Sequence, residues 1–94
     1  MLDGGASAID VREREEWDAG HLTGSVWIPL GELAERLHEL PDGPLVIVCR
    51  TGARSGYAAD ALTAIGRPAA NLAGGLWAWS QAGLPLDAPG SRVL

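Results

Sequence analysis

The stretch Leu45-Val46-Ile47-Val48-Cys49-Arg50-Thr51-Gly52-Ala53-Arg54-Ser55 holds the residue types best suited to chemistry in this chain. An apolar run ends at a thiol. A short loop of arginine, glycine and hydroxyl residues follows, and then a helical pattern begins. Cys49 is the sole cysteine of the 94 residues, so no intramolecular disulfide can consume it. A thiol between a strand end and a helix mouth meets the partial positive charge of the helix N-terminus and loop amides. Arg50 and Arg54 add to that field, which favours the thiolate, the nucleophilic form of cysteine. Free cysteine more often packs as a small buried hydrophobe. Packing alone gives no use for the arginines, glycine and hydroxyls directly after it, so the setting points to a reactive Cys49. Gly52 permits positive φ, which lets successive N–H groups curl into an anion nest. Thr51 and Ser55 bring hydroxyl donors, and Ser55 is also a candidate N-cap.

The rest of the chain has to place that loop. Residues 6–11 form a short apolar strand pattern, and residues 13–19 a short charged helix stopped by Gly20. Residues 25–28 suit a second strand, closed by Pro29. Leu30, Leu33, Leu37 and Leu40 fall at helical spacing, with Glu32, Glu35, Arg36 and Glu39 opposite. Pro41-Asp42-Gly43-Pro44 is a turn by its residue chemistry. Residues 45–48 lack alternation, as in a strand buried on both faces. Residues 55–65 form a helix pattern with Ala58, Ala61, Leu62 and Ile65 on one side, ended by Gly66. A strand at 69–72 and a helix at 76–82 complete the order. Alternating strands and helices predict an α/β fold with a mainly parallel sheet covered on both faces. Ligands then bind beyond the carboxyl ends of the strands, where Cys49 sits.

These motifs together resemble rhodanese-like sulfurtransferase domains. The loop from Cys49 to Ser55 is similar to the family's active-site loop. Ile9-Asp10-Val11-Arg12 resembles its early strand-and-turn motif, and Glu16-Trp17-Asp18-Ala19-Gly20-His21-Leu22-Thr23-Gly24-Ser25 its stretch of an aromatic, then glycine-histidine, then glycine and a small residue, continued by Ile28-Pro29-Leu30. Leu72-Ala73-Gly74-Gly75, Trp79 and Gly83-Leu84-Pro85 resemble the late glycine pair, tryptophan and closing turn. The match runs from Ile9 to Leu86. It implies a three-layer α/β/α fold with about four to five strands, and one domain over residues 1–94. Family members carry a longer lead with a short helix before the Asp-Val-Arg motif. Here Met1 to Ala8 precede it, so a trimmed first edge or a piece of a larger protein is expected.

The resemblance also implies a reaction. Cys49 is the catalytic nucleophile, and it takes the outer sulfur of a thiosulfate-like donor as a persulfide. Residues Arg50, Thr51, Gly52, Ala53, Arg54 and Ser55 form the substrate-binding loop, the arginines attracting the anionic donor. Asp10 and Arg12 are structural supports beneath it. The acceptor is a small thiol, cyanide or a thioredoxin-like protein. No second cysteine exists to resolve the persulfide internally, and a CxxC oxidoreductase is excluded. The expected cofactor set is empty apart from that covalent intermediate. Cysteine phosphatases and arsenate reductases of related fold form the third possibility. Phosphatases place one residue more between cysteine and arginine, and here Ser55 takes the position of their arginine. A persulfide carrier or protein-interaction module with little small-molecule turnover is the second.

Composition narrows the partners. Hydrophobic content of 47% suits a globular domain that buries a modest core. The net charge is −5 and every basic residue is arginine, an acidic balance that argues against nucleic acid. No apolar run approaches the ~20 residues of a membrane span, and no signal-peptide pattern opens the chain. A cytoplasmic setting is expected, since one unpaired cysteine suits a reducing compartment, and a monomer, since no evident exposed apolar stripe demands a dimer. His21 is expected to hold structure by hydrogen bonding and His38 to be solvated. Two histidines and one cysteine far apart form no metal motif. Trp77 and Trp79 are expected to pack or anchor the last helix. Gly74 and Gly75 are expected to allow close approach near the active-site loop.

Overall fold

The computed structural model describes residues 5–84, 86 and 93. The strands are β1 (Ser7–Asp10), β2 (Val26–Trp27), β3 (Leu45–Val48) and β4 (Ala69–Asn71). The α-helices are α1 (Arg14–Ala19), α2 (Ala53–Ala64) and α3 (Gly75–Gln81). The strands form one parallel sheet in the order β2-β1-β3-β4. Its apolar centre is the β1–β3 pair, in register from Ser7 opposite Leu45 to Asp10 opposite Val48. Side chains alternate between faces along these strands. Ile9, Leu45 and Ile47 therefore join Ile28, Leu33, Ala58 and Leu62 in one buried cluster. Ala8 and Val48 join Leu22 and Leu76 in the other, against which Trp79 packs. This two-sided burial explains the unbroken apolar run of β3, a central strand whose C-terminal end delivers Cys49.

Three local expectations change. Leucine spacing over residues 30–40 suggests one α-helix, but the segment folds as two 3₁₀ turns, Leu30–Glu35 and Leu37–Glu39. Steps of three between Leu30 and Leu33, and between Leu37 and Leu40, suit a three-residue turn equally well. Arg36 interrupts the two at φ −117° and is tied to Glu32 at 3.1 Å and Glu39 at 2.8 Å. Helix α2 begins at Ala53, with left-handed Gly52 (φ 105°) at the N-cap rather than Ser55. Its buried side is Ser55, Ala58, Ala59 and Leu62, while Ile65 is 62% exposed. Ile65, Ala61 and Tyr57 instead line a shallow apolar groove with Leu30, Leu33 and Leu37. No helix among the described residues is long and apolar enough to cross a membrane. Of the expected closing turn, Gly83 has positive φ and Pro85 lies outside the described residues.

Candidate active site

Cys49 leaves β3 with its side chain turned inward, 1% exposed. Three donors meet its sulfur: the Gly52 N–H at 3.1 Å, the Ser55 N–H at 3.3 Å and the Ser55 hydroxyl at 3.2 Å. Gly52 is the N-cap of α2 and Ser55 lies in its first turn, so the unpaired amides of that turn serve the sulfur. Burial pushes the Cys49 thiol up, but hydrogen bonds from the Ser55 hydroxyl and from the Ser55 and Gly52 amides, with a smaller contribution from the nearby Thr51 amide, outweigh it. The net effect holds the thiol below its ordinary range.

Helix α3 sets the loop from beneath. Leu76 N–H donates to the Cys49 carbonyl and Trp77 N–H to the Arg50 carbonyl, both at 2.8 Å. In a trans peptide the N–H points opposite the C=O. Turning the Arg50 carbonyl toward α3 thus turns the Thr51 amide the other way, toward the sulfur side. The approach requires glycine at position 75. A Cβ there would lie 2.5 Å from the Arg50 oxygen and 2.6 Å from the Cys49 oxygen, and its φ is +62°.

The two loop arginines have different surroundings. Arg54 forms a bidentate pair with Glu16, at 2.7 and 2.8 Å. The Arg54 guanidinium is the main reason the Glu16 carboxyl lies below its usual range. Glu16 also accepts the Glu13 N–H at 3.1 Å, so the start of α1 holds Arg54 in place. Arg50 stacks over the Trp77 ring, 5.0 Å from its centroid. Trp77 is 43% exposed, so it forms part of the site rim and not of the core. Thr51 and Ala53 are exposed beside it.

Asp10 and Arg12 lie fully buried, with contacts of 2.9–3.1 Å between the guanidinium and the carboxylate. Arg12 also donates to the Gly20 carbonyl at 2.7 Å. His21 stacks on Trp17 with ring centroids 3.4 Å apart, and its Nδ1 lies 2.9 Å from the Trp17 carbonyl. His38 is exposed. Two residues not expected in the active-site loop join the site. Glu16 belongs to the charged α1 pattern and to the stretch that resembles the family's glycine-histidine motif, neither of which pairs it with Arg54. Asn71 bonds both Ser55 and the Gly52 carbonyl. Register reveals it, because Asn71 pairs with Ile47, two residues before Cys49.

The family model of the rhodanese-like domain matches residues 1–82. The chain belongs to the rhodanese-like domain family. A rhodanese-related protein from Thermoplasma volcanium has the same fold, with a TM-score of 0.83 at 31% identity over 87% of this chain and 83% of that one. A sulfurtransferase of Allochromatium vinosum is 37% identical over 86% of this chain and 78% of its own. The HTH-type transcriptional regulator Rv0324 of Mycobacterium tuberculosis is 43% identical over 89% of this chain but only 38% of its own. Across three relatives the chain spans between 19% and 60% of their length. Sulfur transfer in general is the chemistry that this rhodanese-like membership supports.

Proposed function

We propose that this rhodanese-like domain moves sulfane sulfur from a thiosulfate-like donor to a thiol, cyanide or protein acceptor through a Cys49 persulfide. The observation that carries this is the convergence of Gly52, Ser55 and the α2 N-terminus on one buried sulfur. The Cys49 thiolate attacks the outer sulfur of thiosulfate. A new sulfur–sulfur bond forms, the donor's own breaks, and sulfite leaves with the electron pair. The terminal persulfide sulfur carries the negative charge that the loop amides are placed to receive. Cyanide or a thiolate then attacks that sulfur, and Cys49 returns as thiolate. No resident cofactor or metal enters these steps. The compact loop, with four residues between Cys49 and Arg54, suits a single sulfur better than a phosphoryl group. The proposed setting is a cytoplasmic monomer acting on small donors and thioredoxin-like or small-thiol acceptors.

Intact mass after thiosulfate treatment tests the proposal. A gain of one sulfur atom at Cys49, removed as thiocyanate by cyanide, is expected; no gain on reduced protein overturns small-donor chemistry. A persulfide carrier or protein-interaction module is the second reading, favoured by the likeness to the "Putative sulfur carrier protein YrkF" of Bacillus subtilis, 36% identical over 83% of this chain and 43% of its own. A carrier loads once from a protein donor and does not turn over.

Donor charge should be sensed unequally by the two arginines. Arg54 is compensated by Glu16, whereas Arg50 meets no carboxylate among the described residues. Arg50→Ala is expected to raise KM for thiosulfate about threefold to fivefold while sparing a neutral donor, the size of a partly exposed charge contact. Arg54→Ala should affect both donors alike, contrary to the selective effect suggested by its charge alone. Steady-state kinetics with the two donor types reads the difference.

A further inference from the structure

We propose that Asn71 is a positioning residue that sets the direction of the Ser55 hydroxyl and thereby restrains ionisation of Cys49. It rests on the sulfur-transfer reading only in making Cys49 the reacting group. Ser55 is fully buried and its hydroxyl has a single proton. Two groups lie within its reach: the Cys49 sulfur at 3.2 Å and the Asn71 Oδ1 at 2.5 Å. The Asn71 amide has a fixed sense. Its Nδ2 donates to the Gly52 carbonyl at 3.1 Å, and a flipped amide would set oxygen against oxygen there. Oδ1 therefore faces Ser55, and it can only accept.

The proton cannot serve both acceptors. When Ser55 donates to Asn71, its lone pairs face the sulfur and accept from the thiol S–H. A line runs from Cys49 S–H to Ser55 O–H to Asn71 Oδ1, and it favours the neutral thiol. When Cys49 ionises, the hydroxyl must turn to donate to the thiolate, and Asn71 loses its buried partner. Asn71 is itself exposed, so water can replace the lost donor there. The Gly52 and Ser55 amides face no such competition; they donate to sulfur in both states. Asn71 thus opposes ionisation while its tie to Gly52 keeps the loop in shape.

Alkylation by iodoacetamide across pH tests this without any sulfur donor, so failure of thiosulfate chemistry leaves the result readable. Asn71→Leu frees the Ser55 proton. Its profile is expected to move to lower pH, with the rate below the wild-type midpoint rising about threefold or more. Asn71→Asp keeps the acceptor at Ser55, exchanges the Gly52 donor for an oxygen and adds negative charge; its profile should move to higher pH in the wild-type background. In a Ser55→Ala background, Asn71→Leu should move nothing. An unchanged or upward-shifted profile in Asn71→Leu overturns the proposal. Equal displacement with and without Ser55 also overturns it, because it would place the effect in loop shape.

Discussion

Cys49→Ser is expected to lower sulfur transfer from thiosulfate by roughly a thousandfold or more, to background, with the fold retained. The oxygen would sit among the same donors, from Gly52 N–H and the Ser55 N–H and hydroxyl. An alkoxide, however, is inaccessible at neutral pH, and the oxygen cannot carry a persulfide. Losing the buried sulfur should cost about 1–2 kcal/mol, since a small core group is exchanged for a hydrogen-bonded hydroxyl. Circular dichroism should show a native spectrum, and mass analysis no sulfur gain. Retained turnover in the serine variant would remove Cys49 from the mechanism. The pair also exposes a pH linkage. The folded Cys49 thiol lies below its ordinary value because the hydrogen bonds outweigh burial. An acid lowered on folding adds stability above its unfolded value and loses it as pH falls through the folded value. The stability advantage of wild type over Cys49→Ser should therefore grow as pH rises through the folded Cys49 value and level off above the ordinary thiol range.

What was legible in the sequence was what one stretch of chain decides alone. The β3 run Leu45–Val48 is uninterrupted because both sheet faces bury it, and its end places Cys49 beside α2. Gly66 ends α2, and Gly75 lets α3 touch the loop backbone. Where two local structures share one pattern, the sequence was ambiguous; the leucines of residues 30–40 fit 3₁₀ turns and an α-helix alike. Side-chain partners from distant segments were not legible. Arg54 looked like a free charge until α1 brought Glu16 to it across 38 positions. Asn71 reaches the site only through parallel pairing of β4 with β3. Trp77 resembled a core residue in type, yet its place on α3 puts it at the surface under Arg50.

Arg12→Met is expected to destabilise the domain by about 3–5 kcal/mol, the cost of leaving one member of a buried ion pair alone. In a domain of this length that lowers the melting temperature by roughly 15–30 °C. Asp10 would retain only the main-chain N–H of residue 12, now at 3.0 Å, and would remain fully buried. The Gly20 carbonyl would lose its guanidinium donor too, loosening the end of α1. The effect should reach the active site. Asp10 pairs with Val48 in the sheet, and Val11 N–H donates to the Val48 carbonyl at 3.1 Å, one residue before Cys49. The pair itself need not be a large net stabiliser, because Arg12 Nη1 is buried with no hydrogen-bond acceptor. Removing both charges together should therefore cost less than removing one. Asp10→Leu with Arg12→Met is expected to recover part of the lost stability. Thermal melts of the single and double variants decide it: a single variant melting within a few degrees of wild type would show that Asp10 does not depend on Arg12.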